Sequence, residues 1–176
     1  DELVEREDGG TCLLIAGDVG QEAHCRGIVE RTLKELGRID IVVNNAAEQH
    51  PVESLEKLSA EQLERTFRTN VFAYFYLARA AVPHLGRGAA IINVGSITGL
   101  EGSPQLLDYS STKGAINAFT KSLAMNAIEK GIRVNAVAAG PVWTPLNPAD
   151  GGLPPDKVAE FGKQTPLGRP AQPEEL

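Results

Sequence analysis

Apolar residues follow two distinct patterns along this chain. A continuous apolar run of strand length, typical of a parallel strand buried on both faces, spans residues 11–17, and further strand-like segments span residues 39–44, 89–94 and 133–138. Longer segments with the spacing of amphipathic helices span residues 21–36, 59–85 and 108–130. The alternation predicts a doubly wound, Rossmann-like α/β fold, a single domain with a parallel sheet and helices on both faces.

Capping residues support the helix boundaries. Gly37 and Gly131 directly follow two of the helical segments, where a left-handed residue commonly ends a helix. Ser59, with Gln62 three residues later, gives a capping-box pattern at the start of the long helix. These residues predict where the helices begin and end.

The two ends of the chain are less regular. Residues 1–8 have the pattern of the end of a helix, which Gly9-Gly10 would terminate. After Gly140 the chain is rich in proline, which predicts a long loop with at most a short helix near residues 155–162. No glycine-rich turn occurs near the start. We therefore expect a partial Rossmann-like domain, incomplete because it lacks the N-terminal phosphate-binding unit and the C-terminal strand.

Small or polar residues follow each predicted strand. In doubly wound sheets, ligands bind beyond the carboxyl ends of the strands. The residues at these positions are Asp18, Asn44-Asn45, Gly95-Ser96 and Gly140. A binding cleft is therefore predicted along this edge of the sheet.

Charge and composition exclude several classes of partner. The formal net charge is −6 and no basic stripe occurs, which argues against nucleic-acid binding. No apolar run approaches the ~18 residues of a membrane span. Cys12 and Cys25 lack the spacing of metal ligands, and we interpret both as apolar core residues of a cytoplasmic protein.

The strongest chemical signal is the pair Tyr109 and Lys113. Residues four positions apart share a helix face, so the pair places a phenol beside an ammonium. The pKa of a free tyrosine is about 10, and a nearby positive charge lowers it. Such a tyrosine can exchange a proton with a substrate hydroxyl or carbonyl. Taken alone the spacing is weak evidence, because Tyr-x-x-x-Lys occurs by chance on many helices.

Two further polar residues strengthen the case. Ser96 follows an apolar strand, and its hydroxyl could hydrogen-bond a substrate oxygen on which charge develops, or it could cap a turn. Asn70 lies within the long helical segment, where its side chain competes for backbone hydrogen bonds. It could hold a water, kink the helix, or lie on the surface.

Together these residues resemble the short-chain dehydrogenase/reductase family. The resemblance covers nearly all of the chain and rests on the order and spacing of Asn44-Asn45-Ala46-Ala47, Asn70, Ser96, Tyr109-x-x-x-Lys113 and Arg133-Val134-Asn135-Ala136-Val137. Residues 43–51 and 142–146 are similar to a bacterial subgroup named after glucose/ribitol dehydrogenases or general stress oxidoreductases. The resemblance implies hydride transfer between NAD or NADP and a secondary alcohol or carbonyl.

The resemblance also implies a role for each matching residue. Tyr109 would be the catalytic acid/base, and Ser96 would orient the substrate carbonyl. Lys113 would lower the pKa of the tyrosine and hold the nicotinamide ribose. Asn70 would anchor a water in a proton relay to Lys113. Other cofactor contacts would come from Asp18 and Val19 at the adenine, Asn45 and Ala46 along the adenosine, and Gly140, Val142 and Thr144 at the nicotinamide.

The sequence leaves the choice between NAD and NADP open. The residue that separates the two cofactors through the ribose 2′ position would precede Asp1. The family usually has Pro-Gly after its sixth strand, whereas this chain has Ala139-Gly140-Pro141, which predicts a similar turn with a looser approach.

Members of the family that resemble this chain are often tetramers built on two long helices. Residues 59–85 and 108–130 therefore predict a homotetramer. The candidate contact residues, which could instead be core residues, are Phe72, Phe75, Phe119 and Leu123.

Three alternatives stay open. A sugar-nucleotide epimerase or dehydratase of the extended family shares Tyr-x-x-x-Lys, although Asn44-Asn45-Ala46 and the spacing to Asn70 count against it. A non-catalytic dinucleotide sensor is disfavoured by the intact catalytic set. The chain as given could also bind dinucleotide poorly, because it has no phosphate turn. Side chains of less certain role near the expected cleft are His50, Trp143, Gln105, Leu106 and Leu107.

Overall fold

The protein has an α/β fold. Its structure, a computed structural model, describes residues 2–5, 9–146, 157 and 160–176. Its strands are β1 (Glu2–Glu5), β2 (Thr11–Leu14), β3 (Ile41–Asn44), β4 (Ala90–Ser96) and β5 (Arg133–Ala139). Among the described residues, β3, β4 and β5 form a parallel sheet in that order. The parallel α/β architecture predicted from the sequence is confirmed.

Helices connect the strands at the predicted places. They are α1 (Glu22–Leu36), α2 (Ala60–Phe67), α3 (Ala73–Ala81), α4 (Thr98–Glu101) and α5 (Leu107–Ala127). Gly37 and Gly131 adopt left-handed conformations with φ of 80° and 69°, as expected for helix ends. The Ser59 hydroxyl accepts a 3.0 Å hydrogen bond from the Gln62 N–H, so the predicted N-cap is confirmed.

The long predicted helix is continuous but changes its winding. Between α2 and α3 the backbone forms a π-helical segment, Arg68–Phe72, whose centre is Asn70. A π-helical segment inserts an extra residue into a turn and is frequent at functional sites. Asn70 therefore lies where the helix changes its winding, and a kink of the helix axis at this residue stays a prediction.

The hydrophobic core lies on one face of the parallel sheet. Strand register places Val42, Ile91 and Val134 in one row, and all three are buried against residues of α1, α3 and α5. On the opposite face, Ile41 and Val43 are 62% and 53% exposed. In the described residues, helices therefore cover one face of the parallel sheet, and the expected helices on the second face stay a prediction.

The N-terminal region differs from the prediction. Residues 2–5 form β1, which pairs antiparallel with β2, and the predicted helix end is wrong. Gly9 has a φ of 79° between the strands, so the glycine pair belongs to a hairpin connection. The predicted place of residues 11–17 in the parallel sheet is also wrong, because β2 pairs antiparallel with β1 and, among the described residues, with no other strand. Apolar periodicity predicts a strand but does not choose its partner.

Three smaller predictions concern the cysteines, membrane-spanning segments and a helix near residues 155–162. Cys25 is fully buried and Cys12 partly buried, and both are free thiols. Within the described residues, no helix combines the length and apolar content that crossing a bilayer needs. Most of the possible helix near residues 155–162 lies outside the described residues.

Candidate active site

A cleft of about 990 Å³ opens at the carboxyl ends of the parallel strands, where the sequence predicted it. Its walls come from the segments after β3 and β4, from the start of α5, and from the segment after β5. The predicted site residues among its lining are Asn45, Ala46, Ser96, Tyr109, Lys113, Gly140, Val142 and Thr144. Residues distant in sequence are thus brought together in one cavity.

Tyr109 and Lys113 lie on one face of α5, as their spacing predicted. The Lys113 Nζ is 5.4 Å from the centroid of the Tyr109 ring. Tyr109 and Lys113 are 8% and 1% exposed, so both are largely buried although they line the cleft. The phenol and the ammonium are therefore largely buried neighbours.

The ammonium of Lys113 has a fixed partner. Its Nζ donates a 2.7 Å hydrogen bond to the carbonyl of Val94 on β4. The hydroxyl of Tyr74 donates to the same carbonyl at 3.2 Å, and the Tyr74 ring centroid is 5.9 Å from the ammonium. Sequence reasoning missed Tyr74, although its position four residues after Asn70 on one helix face was a usable signal.

Burial changes the acid–base properties of the pair in opposite senses. It lowers the pKa of Lys113 to about 8. It raises the pKa of Tyr109, and a hydrogen bond with Ser96 acts against this rise. The phenol is consequently protonated and the ammonium mostly charged at neutral pH. A reduction of the tyrosine pKa by Lys113, which the resemblance implied, stays a prediction.

Ser96 occupies the end of β4 beside the phenol. Its hydroxyl accepts hydrogen bonds from the Thr98 N–H at 3.2 Å and the Thr98 hydroxyl at 3.0 Å. A Cβ on Gly99 would lie 2.5 Å from the backbone carbon of Lys113, so only glycine lets this turn pack directly on α5. Ser96 therefore caps a turn and also faces the cleft, while its hydrogen bond to a substrate oxygen stays a prediction.

Asn70 is buried behind the cleft. Its Oδ1 accepts from the Glu48 N–H at 2.9 Å, and its Nδ2 donates to the Glu48 carbonyl at 2.9 Å and to the Thr112 hydroxyl at 3.1 Å. The side chain thus fixes the loop after β3 to the π-helical segment and to α5. Its predicted role as the anchor of a water stays a prediction, and a surface position is excluded because the residue is fully buried.

A buried carboxylate adjoins the tyrosine. The Asp108 Oδ1 accepts from the Tyr109 N–H at 2.9 Å, while its Oδ2 accepts from the Thr66 hydroxyl at 2.7 Å and from Gln62 Nε2 at 3.1 Å. Sequence reasoning passed over Asp108 and Thr66. The signal available was a charged residue directly before the tyrosine, on the buried side of an amphipathic helix.

Two predicted cofactor residues lie away from the cleft lining. The Asp18 Oδ1 accepts from the Gly20 N–H at 2.7 Å, and its carboxylate is exposed. Val19 packs against the small buried cluster that contains Tyr74. Their contacts with an adenine stay predictions.

The less certain residues divide into two groups. Gln105 and Leu106 line the cleft, whereas Leu107 is not part of its lining. The His50 ring lies 3.4 Å from the Glu48 carboxylate, outside the lining. Trp143 packs against Phe161 with ring centroids 6.4 Å apart. Phe161 is part of the cleft lining, whereas Trp143 is not.

Comparisons with known proteins agree with this geometry. A family model described as enoyl-(acyl carrier protein) reductase matches residues 2–176. A solved structure described as a short-chain dehydrogenase/reductase, glucose/ribitol dehydrogenase, from Brucella melitensis superimposes with a TM-score of 0.84 at 28% identity, covering 92% of this chain and 64% of that one. The chain belongs to the short-chain dehydrogenase/reductase family.

Two other family members bear on the subgroup and the cofactor. General stress protein 39 of Bacillus subtilis (strain 168) is 56% identical over 169 residues, which cover 96% of this chain and 58% of that protein. A 3-ketoacyl-(acyl-carrier-protein) reductase from Brucella melitensis, complexed with NADH, superimposes with a TM-score of 0.79 at 29% identity, covering 92% of this chain and 66% of that one. This short-chain dehydrogenase/reductase chain spans 56–60% of the length of its curated relatives.

The lining of this cleft is compatible with a dinucleotide. Its volume is in the range of small-molecule sites, and its mainly apolar wall carries a few polar groups. Lys113 supplies ammonium protons that can bind hydroxyls. A Cβ at Gly140 would meet no atom within 4 Å, so the floor beside the turn after β5 is open.

Proposed function

We propose that the intact protein is an NAD(P)-dependent oxidoreductase that transfers a hydride between the nicotinamide cofactor and a secondary alcohol or carbonyl. The observation that carries the proposal is the Lys113 ammonium 5.4 Å from the Tyr109 ring, beside Ser96 in a single cleft. A buried phenol–ammonium pair at the mouth of a doubly wound sheet suits proton exchange with a substrate oxygen.

Tyr109 acts as the acid/base of this reaction. In the reductive direction its phenolic proton passes to the carbonyl oxygen, and the O–H bond of the product forms as the phenol becomes phenolate. In the oxidative direction the phenolate takes the proton of the alcohol. Ser96 holds the same oxygen through its hydroxyl and stabilises the charge that develops there. The bound nicotinamide supplies or accepts the hydride.

Lys113 supplies the positive charge that the phenolate needs. Its hydrogen bond to the Val94 carbonyl and its contact with the Tyr74 ring hold the ammonium in one place. Because the ammonium is fixed before the reaction, it can stabilise the developing negative charge without reorganising. Asn70 joins the loop after β3 to the helices that carry both residues, and we propose that it also anchors a water that relays protons to Lys113.

The proposed cofactor is NAD or NADP. Asn45 and Ala46 would lie along the adenosine, and Gly140, Val142 and Thr144 at the nicotinamide, consistent with their common place in the cleft lining. Asp18 and Val19 would contact the adenine. The sequence contains no glycine-rich turn, so this chain alone should bind dinucleotide poorly.

We further propose that the intact protein is a cytoplasmic homotetramer. Phe75 on α3 is 49% exposed and stacks against Phe119 of α5 at a centroid distance of 4.0 Å. Phe72, in the π-helical segment before α3, and Met125 on α5 are also exposed. Aromatic residues exposed on adjacent long helices suit an isologous contact with a second copy. The free cysteines agree with a reducing compartment.

A panel of alcohols, sugars and aldehydes assayed with NAD(H) and NADP(H) tests the proposal on the intact protein. We expect turnover of at least one secondary alcohol or carbonyl, followed by cofactor absorbance. A tightly retained cofactor that cycles without net redox turnover would contradict the proposal and favour an epimerase. Cofactor binding with no chemistry on any substrate would favour the dinucleotide sensor.

A further inference from the structure

Two buried polar residues next to the acid/base have no place in the mechanism above. We propose that Thr66 and Asp108 are positioning residues, whose mutual hydrogen bond holds the first turn of α5 so that the phenol of Tyr109 meets Ser96. This inference rests on the proposed function, because it assigns these residues a role in that reaction.

Side chains hold the backbone of Tyr109 on both sides. Its N–H donates to the Asp108 Oδ1 at 2.9 Å, and its carbonyl accepts from the Thr112 hydroxyl at 2.6 Å. The N–H groups of a first helical turn have no partner within the helix. The carboxylate supplies the partner that this one lacks, and a negative charge is also favoured at a helix N-terminus.

The long helix anchors both of these side chains. Thr66 and Gln62 donate to Asp108, and Asn70 donates to the Thr112 hydroxyl. The three donors are four residues apart and share one helix face. Their acceptors are likewise four residues apart on α5. The two helices are therefore fixed in register by hydrogen bonds one turn apart, with Tyr109 between them.

The seam between the helices is dry. Thr66, Asn70 and Thr112 are fully buried, and Asp108 is 1% exposed. Water cannot replace a hydrogen bond that is lost there, so α5 would rotate or shift to relieve an unpaired group. Among the described residues, no basic side chain forms a salt bridge with Asp108. The negative charge of Asp108 is therefore stabilised by its hydrogen-bond donors, which include Thr66.

A rotation of α5 would move the phenol of Tyr109 relative to Ser96 in the cleft. Ser96 lies on β4 and does not move with the helix, whereas the phenol does. The hydrogen bond between them, which acts against the rise of the Tyr109 pKa, would lengthen. Misplacement of a catalytic group by about 1 Å can cost on the order of 100-fold in rate.

The test uses isosteric variants of the intact protein. Thr66→Val removes the hydroxyl but keeps the shape, and Thr66→Ser restores the hydroxyl. Thr120→Val is the matched control, because Thr120 is a buried threonine of α5 whose hydroxyl also takes part in a buried hydrogen bond between side chains, which it accepts from Asn93. Asp108→Asn provides a second variant of the seam if Thr66→Val fails to fold.

Three readouts separate positioning from mere stability. For Thr66→Val we expect kcat to fall about tenfold or more, with cofactor Kd unchanged and the acid/base pKa in the pH–rate profile raised. Thr66→Ser should recover most of the rate. Thr120→Val should lose a similar amount of stability while its kcat stays within about twofold. Equal kcat and equal pH profiles for the two valine variants would overturn the proposal.

A fourth readout does not depend on turnover. With ¹³Cζ-labelled tyrosine, the resonance of Tyr109 can be assigned by its loss in Tyr109→Phe and titrated with pH. A higher midpoint in Thr66→Val than in Thr120→Val supports the positioning role even if no substrate is turned over. Identical midpoints in the two variants refute it, whatever the outcome for the proposed reaction.

Discussion

The Nζ of Lys113 donates a 2.7 Å hydrogen bond to the carbonyl of Val94, and this bond keeps the ammonium 5.4 Å from the Tyr109 ring. The bond joins α5 to β4, the strand that ends at Ser96. One lysine thus connects the helix that carries the proposed acid/base to the strand that carries its hydrogen-bond partner. Its burial has consequences for stability that can be measured without any substrate.

The buried ammonium should make the stability of the fold depend on pH. Burial lowers the pKa of Lys113 from 10.5 to about 8. Between these values the unfolded chain binds a proton that the folded chain does not, so the free energy of unfolding rises with pH and the gain is lost as pH falls through about 8. The rise should be about 3 kcal/mol. Urea unfolding of the wild type and of Lys113→Met across this range measures it.

The matched control for this experiment is Lys121→Met, on the exposed side of the same helix. Both tyrosines of the site stay in place in every variant, so their titration cancels in the comparison. Lys113→Met should lose the rise and Lys121→Met should keep it. A rise of equal size in Lys113→Met would mean that the ammonium carries no burial penalty.

The hydrogen bonds of the Asn70 amide should contribute to the free energy of unfolding. Asn70→Leu leaves the N–H and carbonyl of Glu48 and the hydroxyl of Thr112 without this partner. Because an unpaired buried polar group costs about 1–3 kcal/mol, we expect a loss of roughly 2 kcal/mol or more in the free energy of unfolding. Asn126→Leu, at an exposed position of α5, is the control. A loss no larger than in the control would mean that the Asn70 amide does not hold the loop after β3 to the two helices.

The exposed aromatic residues of the long helices should govern assembly. Phe75→Glu places a charge in the proposed contact between copies, and the molar mass by light scattering should fall below that of the tetramer. Leu55→Glu changes an exposed apolar residue outside these helices and should leave the mass unchanged. A tetramer that persists in Phe75→Glu would exclude this surface as the interface.

Local signals in the sequence predicted much of this structure. The helix ends at Gly37 and Gly131 and the face shared by Tyr109 and Lys113 follow from backbone conformation and helical period, which depend on near neighbours in the chain. Asn70 could be identified as unusual because asparagine is a poor helix former. Each of these inferences needed only a few adjacent residues.

Contacts between distant segments could not be predicted in this way. The bond from Thr66 to Asp108 spans 42 positions, and both residue types are ordinary on an amphipathic helix. The same limit applies to β2, whose sequence specifies a strand but not its pairing with β1. Nothing in the sequence indicated that the Tyr74 hydroxyl and the Lys113 ammonium would share one carbonyl.

The most direct test of the central claim is the turnover of Tyr109→Phe in the intact protein, measured together with cofactor affinity. The change removes one hydroxyl and keeps the ring that packs near Lys113. We predict that kcat falls by about two orders of magnitude or more while the cofactor Kd stays close to that of the wild type. Near-normal turnover in this variant would contradict the assignment of Tyr109 as the acid/base.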